Sequence, residues 1–411
     1  MDEEIDIPEY FLCPISLQIM RDPVTTVTGI TYDRESIQQW LSTTAAACPV
    51  TKQPLPPTSG LTPNHMLRRL IQAWCIANPS SGVDRIPTPK SPLQRSLVLK
   101  LIRDVNRRGA DSDPQLQMSA LRKLDELAAE GGDRNHHCMA EAGVAKAMVS
   151  FVVRRFKGGN ALGIDEALRI LKLTWTPSPE NKLVVMDNSD LIQSVLWILK
   201  IEIGNSTKTN ATTALKIIAE VSSSGFMEKL ELDFFEQVVK IMTDMKSPQA
   251  AVRAALHVLI QACASGRNRA MIVETGAVAE LIEMELSNQE KKATELRFCL
   301  LAQLCSCADG RQQLLKHAGG MAVVAKRLLR NSPATDDRAL CVMESIARFA
   351  AAPEVVKEML RVGAVSKLCM VLQADCADYL KKKAREILRL HSGDWSNSPC
   401  IQVYLLTRNP R

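Results

Sequence analysis

Aromatic residues make up only 4% of this 411-residue chain, whereas Ala, Leu, Val and Ile abound. Strands are enriched in aromatic side chains, so a sheet is not expected as the main framework and stacked helices are favoured. Nowhere is there a run of about eighteen apolar residues, which excludes a membrane-spanning helix. The N-terminal MDEEIDIPEY is acidic and lacks the basic-then-apolar order of a secretory leader. A formal charge of +6 is small against 23% charged residues and demands neither a nucleic acid nor an anionic membrane as partner. The twelve cysteines sit mostly singly inside apolar helical patterns, which argues against a disulfide framework and for buried thiols in a reducing, cytoplasmic setting.

A further absence concerns zinc. The stretch PEYFLCPISLQIMRDPVTT, residues 8–26, opens like a zinc finger, yet no thiolate follows Cys13 within two to four residues. Up to residue 82 the soft or imidazole donors are Cys13, Cys48, Cys75 and His65, too few and too scattered for two tetrahedral sites. Residues 8–78 must then fold on an apolar core, with Asp22, Asp33, Arg34, Glu35 and Asn64 available as polar ties. DPVTTVTGITYD predicts two short strands around Gly29, after which Asp33 can cap a helix with Ile37, Trp40 and Leu41 at i, i+3, i+4. Thr62-Pro63 reads as a helix cap followed by proline at the first helical position, ahead of Leu67, Leu70, Ile71 and Trp74 on one face. Residues 79–92, with Pro79, Pro87, Pro89 and Pro92, cannot continue a helix and form a linker.

Beyond the linker, over residues 93–391, the chain repeats. Gly143, Gly276, Gly319 and Gly363 each precede an apolar helical stretch; Gly276 to Gly319 is 43 residues and Gly319 to Gly363 is 44. Asp190 and Asp233 fill the gap between Gly143 and Gly276 with steps of 47, 43 and 43, and Asp can replace Gly in a left-handed turn at modest cost. A second helix recurs in each period, around residues 165–173, 211–221, 250–263, 295–308 and 337–350. Helix-only periods of this length signal an α-solenoid of armadillo type, in which neighbours stack to make one core. DYLKKKAREILRLH suits a polar C-terminal cap, followed by a tail over 392–411.

Residues 8–78 resemble the U-box, the metal-free relative of the RING finger found in ubiquitin ligases. The matching residues are Phe11, Cys13-Pro14-Ile15, Met20, Asp22-Pro23-Val24, Gly29, Thr31-Tyr32-Asp33-Arg34, Ile37, Trp40-Leu41, Cys48-Pro49, Thr51 and Leu67. The order of U-box, linker and armadillo array is similar to that of the plant U-box/armadillo ligases over nearly the whole chain. The segments DRIPTPK and TPNHMLRRLIQAWC resemble their stress- and immunity-associated branch. This resemblance implies a mostly α fold with a small α+β U-box, no cofactor and no metal. It also implies a shallow groove walled by Ile15, Trp40 and Pro49 that docks a ubiquitin-charged conjugating enzyme, while the repeats hold a protein substrate. Lys52 falls where such ligases carry a cationic linchpin that hydrogen-bonds ubiquitin and conjugating enzyme together; lysine brings three donors but no planar fork. Cys13, Val24, Asp33 and Arg34 are then structural; self-association through an apolar U-box surface is a separate expectation.

Each of these residues has a plainer reading: Trp40 as core, Lys52 as a solvated surface lysine, Cys13 as a structural thiol or as a nucleophile. Apolar neighbours and the lack of a nearby His argue against the nucleophile. Thr62-Pro63 and Thr88-Pro89 have the minimal form of proline-directed kinase sites. NHHC at 135–138 aligns with ordinary first-helix sequence, CSC at 305–307 reads as core and KKK at 381–383 as a solvated face. Lys172, Glu220, Gln261, Gln303 and Ser345 stand where peptide-binding armadillo proteins carry an asparagine ladder, so a regular clamp on an extended backbone is not expected. The rival readings are a non-enzymatic armadillo adaptor with a degenerate U-box and a zinc-dependent nucleic-acid binder. The first is opposed by Ile15, Trp40, Pro49 and Lys52, the second by ligand count and charge.

Overall fold

A computed structural model describes residues 7–43, 47–55, 61–77, 93–107, 113–130, 132–201, 204–287 and 291–408. The chain divides into two compact units, Met1–Ser91 and Pro92–Arg411.

In the first unit, strands Pro23–Thr25 (β1) and Thr31–Asp33 (β2) pair antiparallel around Gly29, whose φ of 78° is the left-handed conformation that glycine adopts without a Cβ clash. Helix Arg34–Thr43 (α1) follows β2 directly. Asp33 ties down the loop before β1: its Oδ1 accepts the backbone N–H of Arg21 and of Asp22, at 2.7 and 2.8 Å. Thr62–Pro63 (β3) pairs with the other edge of β1, giving the order β2-β1-β3. This corrects the sequence reading of Thr62 as a helix cap. Helix His65–Ala77 (α2) starts two residues later, capped by Asn64, whose Oδ1 accepts Leu67 N–H at 3.0 Å. Asn64 is placed for this because its own N–H is held by Pro23 O, in continuation of the β1–β3 pairing. Leu70 departs from the expected inward face and is 52% exposed, since Ile71 and Cys75, at i and i+4, carry the buried side of α2. The core joins them to Phe11, Cys13, Met20, Val24, Tyr32, Ile37, Cys48 and Leu55.

The second unit is helical throughout its described residues apart from turns. Its framework is a row of long helices, Pro114–Glu130, Ile164–Thr174, Asn205–Val221, Gln249–Ala262, Lys291–Leu304, Pro333–Phe349 and Asp378–Leu390, each packed on the next. One apolar core runs from Val98 to Trp395, as expected where no repeat buries its own face alone. Gly143, Gly276 and Gly363 do take φ of 81°, 80° and 76°, but Gly319 has φ of −95°. Asp190 and Asp233 are not left-handed substitutes for glycine. They lie in the first turns of helices Ser189–Lys200 and Leu232–Thr243 and accept ion pairs from Lys157 and Lys200 of the preceding repeat, at 2.6 and 2.9 Å. A carboxylate at a helix start gains from the helix dipole and from the neighbour's cation, which accounts for Asp at these positions. The expected tail over 392–411 contains helices Ser392–Trp395 and Pro399–Arg408, with Trp395 buried.

Candidate functional site

Two loops of the first unit share one plan. LCPISLQI, residues 12–19, and ACPVTKQP, residues 47–54, each close with an antiparallel bridge, Leu12 to Ile19 and Ala47 to Pro54. In each, the cysteine N–H donates to a glutamine carbonyl, Gln18 or Gln53, at 2.8 Å. The fourth residue past the cysteine returns its N–H to the cysteine carbonyl, Leu17 to Cys13 at 2.8 Å and Lys52 to Cys48 at 2.9 Å. Leu17 and Lys52 accordingly sit at φ of 54° and 59°, a region that costs a non-glycine residue and persists only where surrounding bonds enforce it.

Both sulfurs are fully buried and act as hydrogen-bond acceptors. Cys13 Sγ accepts Asp33 N–H at 3.3 Å. Burial pushes its thiol pKa up, but bonds from Asp33, Ser16 and Ile15 outweigh that and lower it, which corrects the expectation that apolar neighbours would raise it. Cys48 Sγ accepts the Thr28 hydroxyl at 3.3 Å, the Tyr32 hydroxyl at 3.0 Å and Thr51 N–H at 3.5 Å. Here too burial opposes ionisation, and the donors from Thr28, Thr51 and Tyr32 prevail, bringing the thiol down to about 6. Burial and the hydrogen bond with the neighbouring Cys48 sulfur push the Tyr32 phenol above its ordinary range. Neither sulfur is open to a substrate.

The polar ties converge on Asp22. Its carboxylate accepts Arg34 Nε at 2.6 Å and Arg68 Nη1 at 2.8 Å, joining the β1 approach to α1 and α2. Asp33 and Asn64 act as described above, Val24 is buried in β1, and Glu35 is exposed. Arg68 is thereby committed to Asp22. Among the described residues no group of three or more His, Cys, Asp and Glu is placed to hold a metal ion.

Ile15, Trp40 and Pro49 are all half-buried, and Ile15 and Trp40 pack on the edge of this core. Trp40 Nε1–H donates to Ala47 O at 3.0 Å, which fixes the indole beside the second loop. Lys52 is exposed at the end of that loop, with Val50 exposed between it and Pro49; Leu17 is exposed at the matching position of the first loop. Thr62 is exposed on β3, and Thr88 lies outside the described residues. The sequence reading missed Tyr32, Thr28 and Thr51 as anchors of Cys48, and Arg68 as a partner of Asp22. The internal match of CPISLQ with CPVTKQ was the available signal for the two loops.

In the second unit, His136 bonds Ala128 O at 2.8 Å and His137 pairs with Glu141, so NHHC serves helix contacts. Cys305 is buried and its thiol is pushed up to about 12 by that burial, as a core residue should be. Lys383 departs from the solvated face expected of KKK: it donates to Asp337 at 2.5 Å and to Cys341 Sγ at 3.1 Å across the repeat boundary.

Residues 7–80 match the U-box domain family, and residues 98–411 match the plant U-box protein ARM repeat region. Three proteins of Arabidopsis thaliana are similar over nearly their full lengths. The E3 ubiquitin-protein ligase PUB24 is 42% identical, with 99% of this chain and 97% of PUB24 covered. PUB23 is 41% identical, over 100% of this chain and 98% of its own. PUB22 is 38% identical over 100% of both. A crystal structure of an engineered protein aligns with TM-score 0.55 at 20% identity, covering 72% of this chain and 68% of its own, a likeness of fold alone.

Proposed function

Because the chain belongs to the plant U-box proteins with an ARM repeat region and is a U-box E3 ubiquitin ligase, we propose that Ile15, Trp40 and Pro49 dock a ubiquitin-charged conjugating enzyme while the repeats carry a protein substrate. Lys52 then bridges ubiquitin and the conjugating enzyme and holds the thioester for attack by a substrate lysine. The observation that carries this reading is the second loop, which presents an exposed lysine at φ of 59° three residues after half-buried Pro49 and is tied through Ala47 to the Trp40 ring. Catalysis is by positioning and by a preorganised cation. The three thiols of this unit among the described residues, Cys13, Cys48 and Cys75, are buried, which supports transfer without a covalent ligase intermediate. Self-association through the U-box is part of the proposal, supported by Met66 and Leu70, exposed one turn apart on α2. So is a cytoplasmic role in stress or immune signalling, supported by the resemblance of the linker and α2 to that branch and by the unpaired cysteines. The test is autoubiquitination by the purified chain with a conjugating enzyme, compared with the Lys52→Ala and Trp40→Ala chains. Equal rates in all three would overturn the assignment of the site.

A further inference from the structure

The turn that carries Lys52 has four backbone N–H groups, since Pro49 has none, and each has a partner. Cys48 N–H goes to Gln53 O and Lys52 N–H to Cys48 O. Val50 N–H goes to the Tyr32 hydroxyl at 3.3 Å and Thr51 N–H to Cys48 Sγ at 3.5 Å. Tyr32 and Cys48 are bonded to each other at 3.0 Å, and Thr28 ties the same sulfur to the β1–β2 turn. The Tyr32 hydroxyl thus shares a hydrogen bond with the sulfur and accepts one from the turn. It lies wholly inside the core on β2, in the middle of the pairing with Val24. In the first loop, which has no cation at the equivalent position, Ile15 and Ser16 both bond the Cys13 sulfur, whereas the second loop sends Thr51 to its sulfur and Val50 to the tyrosine hydroxyl.

We propose that Tyr32 and Cys48 are positioning residues for ubiquitin transfer: as one bonded pair, they hold the Pro49–Lys52 turn in the left-handed form that presents Lys52. The proposal rests on the reading of Lys52 as the linchpin and goes beyond it by assigning what fixes that lysine. A lysine at positive φ relaxes toward ordinary backbone once the bonds around it loosen, and catalysis by positioning is sensitive to shifts of about 1 Å. Core volume alone does not require the hydroxyl, since phenylalanine fills the same space. What the hydroxyl adds is a directed hydrogen bond from Val50 N–H, which fixes the direction of the turn.

The experiment measures discharge of ubiquitin from a charged conjugating enzyme by the full chain, carrying Tyr32→Phe, Cys48→Ser, Lys52→Ala or Tyr32→Phe with Lys52→Ala. Tyr32→Phe is expected to lower kcat roughly threefold to tenfold, the worth of about one net hydrogen bond, with KM for the conjugating enzyme unchanged. Cys48→Ser should shift kcat in the same direction. In the Lys52→Ala background Tyr32→Phe should have no further effect, because nothing remains to position. Hydrogen exchange at Val50, Thr51 and Lys52 should quicken in Tyr32→Phe while Ile15, Ser16 and Leu17 stay protected. Losses that multiply in the double variant, or exchange that quickens equally in both loops, would mark Tyr32 as a general stabiliser and overturn the proposal alone. Wild-type kcat in Lys52→Ala would overturn the linchpin reading, and the proposal with it.

Discussion

At Trp40 one side chain has two tasks: its ring forms half-buried surface, and its N–H anchors the second loop through Ala47. Trp40→Ala removes both, and loss of a desolvated aromatic anchor typically costs ~2–4 kcal/mol of binding, about thirtyfold or more in affinity. Transfer at subsaturating conjugating enzyme should therefore collapse in Trp40→Ala. Trp40→Phe, which keeps a ring but loses the hydrogen bond, should lose only about 1 kcal/mol. Helical circular dichroism should persist in both, because most helices belong to the second unit. Equal, undiminished transfer in both variants would place Trp40 outside the docking surface. Thr62 poses a different question now that it is known to lie on β3 rather than at a helix cap. A phosphate there adds about −1.5 to −2 charge beside the start of α2, with Arg68 already held by Asp22 and Met66 exposed nearby. Desolvating such an anion against a second U-box is costly. Thr62→Glu should thus weaken self-association, measured by light scattering, more than Thr88→Glu does; indistinguishable behaviour of the two would remove the U-box surface from the effect.

The second loop shows how an element of this unit is closed by hydrogen bonds to a buried sulfur and a buried hydroxyl. Chelators should leave transfer intact, because Asp22 with Arg34 and Arg68, and Asp33 with its two N–H donors, close the unit through side chains. Activity lost in chelator and restored by zinc alone would contradict this. The same construction predicts a pH dependence of definite sign. The Cys48 thiol falls from an ordinary 9.0 to about 6 in the folded chain, so between those values the folded form binds fewer protons than the unfolded one. Its contribution to stability is complete above the ordinary value, shrinks as pH falls and is gone below about 6. Cys13 is lowered too and acts in the same sense, while Tyr32 stays protonated. Protection of the Val50 and Thr51 amides, corrected for intrinsic exchange, should therefore rise from pH 6 to 8. Most of that rise should vanish in Cys48→Ser; a rise of equal size in that variant would assign it to another group.

On the scale of the whole molecule the repeats depend on one another through buried charge as well as apolar contact. Glu285, in helix Ala277–Ser287, is buried with Arg297 of the next helix and takes Arg327, from helix Gly320–Arg327 of the following repeat, at 2.6 Å. Glu285→Ala removes the buried carboxylate that both guanidinium groups share and should cost ~3–5 kcal/mol, read as a lower denaturant midpoint for loss of helicity. Glu126→Ala, at an exposed pair with Lys123, should leave the midpoint nearly unchanged. Much of this architecture was legible in the sequence because it is written in local patterns. The 43- and 44-residue steps between glycines, the apolar helical spacing and the shortage of zinc ligands each need only neighbouring residues or a count. The motif from Phe11 to Leu67 likewise placed Ile15, Trp40, Pro49 and Lys52 on one small unit. Local reading failed where one residue type serves two geometries: Thr62-Pro63 suits a helix start or a strand edge, and Asp190 suits a left-handed turn or a cation partner. Only the tertiary structure decided which buried polar atoms meet. Tyr32 and Cys48 are 16 residues apart, Asp22 and Arg68 are 46 apart. Their pairing follows from where β1, β2 and α2 bring the backbone, because a hydrogen bond is set by distance and angle in space, for which spacing along the chain carries no signal.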